Sequence, residues 1–318
     1  MKIFSVLKIL KSVYEKKGLH FLIQELWRRL MPLRWIQSQD VMNMHYEDKA
    51  YRYLRKKYLP LLNNFSGKYK EEKSITRVIW VCWWQGENQA PDIVKRCILS
   101  IRNNKGSYDV VIITKENVLD YIEIPSYIKE KFEKKRMQFA HFSDYIRLAL
   151  LEKYGGIWID ATVLMTDEIP EHLSSLSLFC FKRSYLSSSK TLASNWFIIA
   201  KKRNKIIQQV KYLLEMYWKQ ENNLCDYYLF HLLFALVVKH EENSLDWKNL
   251  PYYSNVDAHT LQFELFDEFK EYRFKELCER SFIHKLTYKF KDNCVTKSNY
   301  SNYDYILGRK KLLLSAKQ

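Results

Sequence analysis

The sequence predicts an α/β fold: a mainly parallel sheet flanked by helices, preceded by a helical extension. Three observations carry that reading. Short runs rich in β-branched and aromatic residues recur at 75–84, 108–114 and 156–160. Amphipathic stretches of helical length separate them. Strand, helix, strand, helix and strand in that order place parallel neighbours in one sheet, with the helices covering its faces.

The elements follow in order. Residues 1–70 read as a basic, helical extension. In the first stretch Ile3, Phe4, Leu7, Leu10, Val13 and Tyr14 recur near a 3.6-residue period, with lysines between them. HFLIQELWRRL (20–30) is a second helical stretch, ended by Pro32, and YEDKAYRYLRKKYLPLL (46–62) a third. A basic amphipathic N-terminus suits an anionic membrane surface, and it equally suits packing on the body of the protein. NNFSGKYKEEKS (63–74) reads as a linker, and the main domain is expected over 75–318.

ITRVIWVCWW (75–84) is a strand pattern. Trp80 is expected in the core, and Trp83 on the opposite face from Trp84. Pro91 stands where DIVKRCILSIRNN begins with helical spacing. YDVVIIT (108–114) is the second strand, and FSDYIRLALLEKY (142–154) a helix closed by Gly155-Gly156. GIWID (156–160) is the third strand. Strands follow at 177–182 and 195–200, and helices at 204–220 and 224–239. Beyond residue 250 the pattern is short, aromatic and mixed in charge, and it ends in a basic tail.

The formal net charge is +16, which favours anionic partners. The basic residues are spread along the chain without an RGG tract, an RNP motif or a zinc knuckle, so a nucleic-acid partner is not expected. The six cysteines, at 82, 97, 180, 225, 278 and 294, form no C-x-x-C pair and no zinc spacing. Several sit in apolar runs and read as reduced core thiols, which suits a reducing cytoplasm. No run has the length of a membrane span. LFHLLFALVV (229–238) carries His231 and reads as a buried helix.

The segment with chemical content is AHFSDYIRLALLEKYGGIWIDATVL (140–164). Asp144 and Arg147, three apart, share a helix face. Taken alone they read as a capping carboxylate, with Ser143 or Asp144 at the N-cap and an arginine nearby. Asp160, however, closes an apolar strand, where ligands of parallel α/β sheets sit. A carboxylate there needs solvent, a partner or a cation to offset its desolvation.

SDYIRLALLEKYGGIWIDATV resembles the sugar-binding region of glycosyltransferase family 32 enzymes and of the clostridial glucosylating toxins. It is most similar to the bacterial capsular polysaccharide synthesis protein family. The strand followed by W-x-G and a Pro-started helix (from Val78), DYYLFH (226–231) and HKLTYK (284–289) stand in the order that family shows. The motifs cover roughly 75–290, and the first 70 residues carry none of them.

The resemblance implies a GT-A, Rossmann-like glycosyltransferase. Its substrates would be a nucleotide-sugar donor, expected to be a UDP-hexose, and an oligosaccharide acceptor, expected to be lipid-linked. The reaction would retain anomeric configuration and build capsular or surface polysaccharide in the cytoplasm, at the inner membrane face. Asp144 would hold sugar hydroxyls and Arg147 the sugar or diphosphate. Trp158 would sit beside the donor, Trp84 would stack on the base with Gln85 next to it, and Asp160 would be the first residue of the D-x-D motif. The chain departs from the motif at Thr162, a far weaker ligand for Mn2+ or Mg2+ than a carboxylate. His284 is the candidate to complete the metal shell of Asp160 and Thr162, with Lys285 facing the diphosphate. Asp226 is expected either to cap a helix or to serve the acceptor as base or positioning carboxylate. Thr162 also leaves room for a catalytically degenerate GT-A scaffold within a glycan-assembly complex.

Overall fold

The computed structural model describes residues 39–65, 67, 70–74, 76–183, 189–290 and 298–309. The helical stretches expected before residue 38, Cys294 and the basic tail lie outside them. The described chain opens on α1 (Gln39–Tyr58), which runs into a 3-10 turn over Leu59–Asn64. Then come β1 (Val78–Cys82), α2 (Asp92–Asn103) and β2 (Asp109–Ile113). Two short helices, α3 (Val118–Tyr121) and α4 (Ser126–Glu133), lead to α5 (Phe139–Tyr154) and β3 (Gly156–Ile159). The second half holds β4 (Val163–Met165), α6 (Glu171–Ser174), β5 (Leu178–Lys182) and β6 (Ala193–Ala200). It continues with α7 (Lys205–Gln220), α8 (Leu229–Lys239), α9 (Glu241–Asn249), α10 (Asn255–Phe263) and α11 (Glu271–Arg280). β7 (Ile283–Lys285) and α12 (Asn302–Ile306) complete it.

The main sheet has the order β2-β1-β3-β6-β5. β1 is parallel to both β2 and β3, whereas β6 is antiparallel to β3 and to β5. Four of its five strands therefore point the same way, and the mainly parallel α/β reading holds. β4 and β7 form a separate antiparallel pair.

Strand alternation divides the core in two. Trp80, Trp158, Cys180 and Ile198 face one side, with residues of α1, α5, α7 and α8. Ile79, Val81, Ile157, Phe179 and Phe197 face the other, with residues of α2, α10, α11 and the small sheet. The alternation continues past the end of β1: Trp84 packs on the first side and Trp83 on the second.

α5 starts three residues earlier than its sequence pattern suggests. Its N-cap is Gln138, so Ser143 and Asp144 are interior helix residues and neither caps it. No side chain caps the added turn; Phe139 in it meets the rings of Trp84 and Phe132 at 5.7 and 6.3 Å, and from His141 to Leu151 every side chain is buried. The helix ends at Gly155 (φ 71°), and Gly156 follows at φ 97°. A Cβ on Gly155 would lie 2.5 Å from the Lys202 amide nitrogen, and one on Gly156 2.5 Å from the Val78 carbonyl oxygen. Only glycine fits both the backbone angle and the space.

α1 lays Tyr51, Leu54 and Tyr58 against the first core, beside α7 and α8. At about 1.5–3 kcal/mol for each fully buried large side chain, this face ties the helix to the body. Glu221 reinforces it, accepting from the Tyr53 hydroxyl at 2.5 Å and pairing with Lys57. The polar stretch after it is also anchored. The Glu72 amide donates to the Lys202 carbonyl at 3.0 Å, and Glu71 accepts from Ser177 Oγ and Asn204 Nδ2. Among the described residues five thiols are free; burial pushes those of Cys82, Cys97, Cys180 and Cys225 up to about 12, which keeps them protonated. No described helix is long and apolar enough to cross a membrane.

Candidate functional site

The site is assembled at the carboxyl edge of β1 and β3. Asp160 directly follows β3, and its amide donates to the Trp196 carbonyl of β6 at 2.8 Å. The tight glycine turn brings the first half of α5 back over the same edge, so Asp144 and Arg147 face Asp160. Arg147 is the central link. Its Nη1 lies 2.9 Å from Asp144 Oδ1, and its Nη2 donates to Asp160 Oδ1 at 3.3 Å. The guanidinium stacks on Trp158, 5.0 Å from the ring centroid, and lies 5.8 Å from that of Phe230 on α8. Stacking suits a weakly hydrated planar cation that must be buried.

Asp144 is 6 % exposed and Arg147 4 %. Burial opposes the charge on Asp144. Arg147, with His141 and His231 nearby, outweighs burial and holds the carboxyl below its ordinary value. Asn195, at the start of β6, donates from Nδ2 to Asp144 Oδ1 at 2.8 Å. His141 Nδ1 stands 3.7 Å from Asp144 Oδ2, too far for a hydrogen bond.

Asp160 keeps a quarter of its side chain exposed. Trp158 Nε1 donates to its Oδ1 at 2.9 Å, and Lys285 Nζ lies 3.3 Å from its Oδ2. Lys285 also donates to the Thr162 hydroxyl. Two carboxylates and two fixed cations thus alternate in one chain of contacts: Asp144, Arg147, Asp160, Lys285.

Several expected residues come together and others do not. Asp144, Arg147, Trp158, Asp160, Thr162 and Lys285 form one connected cluster. Trp158 is buried to 1 % and acts from beneath, holding Asp160 and carrying Arg147. His284 is turned away. β7 pairs with β4, and successive side chains point to opposite faces, so Lys285 reaches Asp160 while His284 is sealed inside. Burial pushes His284 down to about 4, and its Nε2 lies 3.3 Å from Thr166 Oγ1. Trp84 sits in the turn after β1, half-buried among Phe132, Phe139 and Phe142, and Gln85 beside it is exposed. Asp226 stands two residues before the N-cap of α8, and its carboxylate accepts from the Tyr228 amide at 2.7 Å. It organises the turn entering that helix without capping it.

The residues fit a protein-held cation poorly. Asp160 is already engaged on both oxygens, the Thr162 hydroxyl by lysine, and Asp144 is buried against Arg147 and Asn195. Among the described residues no three His, Cys, Asp or Glu side chains converge on a metal position. Asn195, His141, His231 and Tyr227 belong to the site's surroundings; Tyr227 and His231 lie within DYYLFH and His141 within 140–164, but no individual role was legible for any of the four. Asn195 opens an apolar strand, and His231 lies within an apolar helix.

The fold and this edge define an open α/β protein with a charged, ligand-facing site at the carboxyl ends of its parallel strands. The chain matches the family model described as capsular polysaccharide synthesis protein over residues 31–306, and it belongs to that family. The match starts well before the motif-bearing region and takes in all of α1. The chain is also similar to O-glycosyltransferase braB of Annulohypoxylon truncatum, 25% identical over 175 residues. That similarity covers 49% of this chain and 41% of the relative, so the chain spans about two fifths of the relative's length. Among solved structures it is similar to PaToxG Glycosyltransferase, at 20% identity over 74% of this chain and 95% of that one, with a TM-score of 0.38.

Proposed function

We propose that this chain is a glycosyltransferase that moves a hexose from a nucleotide-sugar donor, a UDP-hexose first among the candidates, to a glycan acceptor. The observation that carries the reading is Arg147 held between Asp144 and Asp160, with Lys285 on the far side of Asp160. Glycosyl transfer breaks the bond from the anomeric carbon to the diphosphate and forms one to an acceptor hydroxyl oxygen. Negative charge grows on the departing diphosphate, which takes up the proton that the acceptor hydroxyl gives up. Preorganised cations at that edge favour such a charge because they need no reorganisation as it develops. Lys285 and Arg147 are those cations. Asp144, fixed by Arg147 and Asn195, offers an ionised acceptor for sugar hydroxyls.

We read Thr162 and Lys285 together: the ammonium, bonded to Thr162 and paired with Asp160, would supply positive charge that a carboxylate-held cation otherwise supplies. Mn2+ or Mg2+ carried in by a diphosphate would find Asp160 as its carboxylate ligand and would add positive charge beside the leaving group. Trp84 is proposed to border the base with Gln85, and Asp226 to position the acceptor side. Retention of anomeric configuration is part of the proposal. A β-linked product from an α-linked donor, seen by NMR, would overturn that part.

A lipid-linked acceptor at the inner membrane face completes the reading. Its support is the outer face of α1, where Lys49, Arg52, Arg55 and Lys56 are exposed. Absence of binding to anionic liposomes would remove it. The central test is a panel of UDP- and GDP-sugars, with and without manganese, followed by thermal stability and donor hydrolysis. A shift with one donor, lost in Asp160→Ala, supports the transferase. No shift and no hydrolysis with any donor would favour the scaffold reading instead.

A further inference from the structure

Beside the charged cluster lies a pair of aromatic rings that the donor reading does not use. Tyr227 and Tyr228, in the turn before α8, are 55 % and 47 % exposed. Their rings stand nearly perpendicular, at 86° with centroids 5.3 Å apart, so they make two walls of a corner. Tyrosine rings exposed side by side offer apolar faces with polar tips, the character of groups that meet a ligand. The corner is not a loose tip. The Asp226 carboxylate holds the Tyr228 amide at 2.7 Å. Tyr227 meets His141 edge-on at 5.7 Å, and Tyr228 meets His231 at 5.5 Å.

What lies beneath is polar and unsatisfied. His141 is 2 % exposed, and neither ring nitrogen has a hydrogen-bond partner among the described residues. His231 Nδ1 and Arg147 Nε are buried in the same condition. Buried polar atoms without partners are rare, and a cluster of them beside a ligand-facing edge marks groups waiting for a ligand or for water. Burial pushes His231 down to about 4, so near neutrality its ring offers one donor and one acceptor, as a hydroxyl-rich ligand requires. The corner reaches the charged cluster through His141, whose ring meets Tyr227 and whose Nδ1 lies 3.7 Å from Asp144 Oδ2.

We propose that Tyr227 and Tyr228 form the stacking corner of a pyranose-binding subsite, with His141 and His231 as its hydrogen-bonding floor, and that this subsite seats the acceptor sugar. Flat C–H faces of a pyranose cover exposed aromatic faces, while its hydroxyls reach polar groups at the edge. Pockets that combine aromatic walls with a few convergent polar groups have this character. The assignment of the subsite to the acceptor rests on the transferase reading above. The subsite itself does not.

The test uses the full chain and p-nitrophenyl hexosides, α and β, of glucose, galactose and mannose, followed by saturation-transfer NMR. One or more hexosides should bind in the millimolar range. Tyr227→Ala and Tyr228→Ala should each weaken that binding at least fivefold, while the corresponding Phe variants keep it. The thermal shift given by the nucleotide-sugar should be unchanged in all four, which also shows that the variants are folded. Unchanged hexoside binding in the Tyr227→Ala/Tyr228→Ala double variant would overturn the subsite, as would failure of every hexoside to bind the wild type. Hexoside binding that depends on the tyrosines, in a protein that no nucleotide-sugar shifts, would keep the subsite and sink the transferase reading.

Discussion

Arg147→Met is the perturbation that most directly examines the site's electrostatics. It keeps a flexible side chain of similar length and much of the packing on Trp158, and removes the charge. Asp144 would then stay buried, with 9 % of its side chain exposed and Asn195 as its one remaining close donor. Breaking a buried ion pair by removing one partner costs about 3–5 kcal/mol, because the other charge is left uncompensated. For a domain of this size that corresponds to a fall in Tm of about 5–7 °C. The pH dependence carries the sign. In the wild type the Asp144 carboxyl is depressed, so its contribution is present above the ordinary carboxylate value and lost as pH falls through the folded one. Without Arg147 only His141 and His231 oppose burial, so that carboxyl rises and the variant's native state binds a proton more readily than the wild type's. The destabilisation should therefore shrink as pH falls from 7 towards 5. Urea unfolding at several pH values measures it, and Asp144→Asn in the variant background should recover most of the loss at pH 7. A loss below about 1 kcal/mol, or one that grows on acidification, would refute the argument.

Three further outcomes are expected. Lys285→Met should reduce donor turnover roughly 10²–10³-fold, as removal of one preorganised charge does, while a partly exposed ion pair of this kind costs below about 1 kcal/mol of stability; steady-state hydrolysis and urea melts separate the two. Gly156→Ala should cost at least about 2 kcal/mol, because a φ of 97° and a Cβ 2.5 Å from the Val78 carbonyl oxygen both oppose it; a Tm within 2 °C or so of the wild type would contradict that. His284 lies at about 4 through burial, so wild-type stability should fall as pH drops from about 6.5 towards 4, by up to roughly 1.4 kcal/mol per pH unit from this residue. His284→Gln should flatten that dependence, and an unchanged slope would show that the ring does not titrate as its burial demands.

The strands and helices between 75 and 240 were legible because each carries its own period and its own stops. Alternation past β1 even sorts Trp83 and Trp84 to opposite faces. Asp144, Arg147 and Asp160 were legible as a set because one helix, one turn and one strand bring them together. The remainder depends on distant packing. β4 and β7 are three residues each, too short for a period, and without β7 there was no reason to turn His284 inward and Lys285 outward. Asn195 and His231 sit in apolar runs where a polar residue could as well be a satisfied core group. The start of α5 carries no capping side chain, and its first residue is placed by ring contacts with Trp84 and Phe132 that the local pattern does not show.

The glycine turn has a consequence for how the site forms. It links α5 to β3 with no intervening loop, so half of the charged cluster is set by contacts of short sequence separation, which close quickly and at small entropic cost. Lys285 and the tyrosine corner arrive from far along the chain, after long loops have closed. A truncated or partly folded chain could hold Asp144, Arg147 and Asp160 in register and still lack the groups that complete the site. Assembly of the whole, rather than of its first half, is what would separate an active molecule from an inert one.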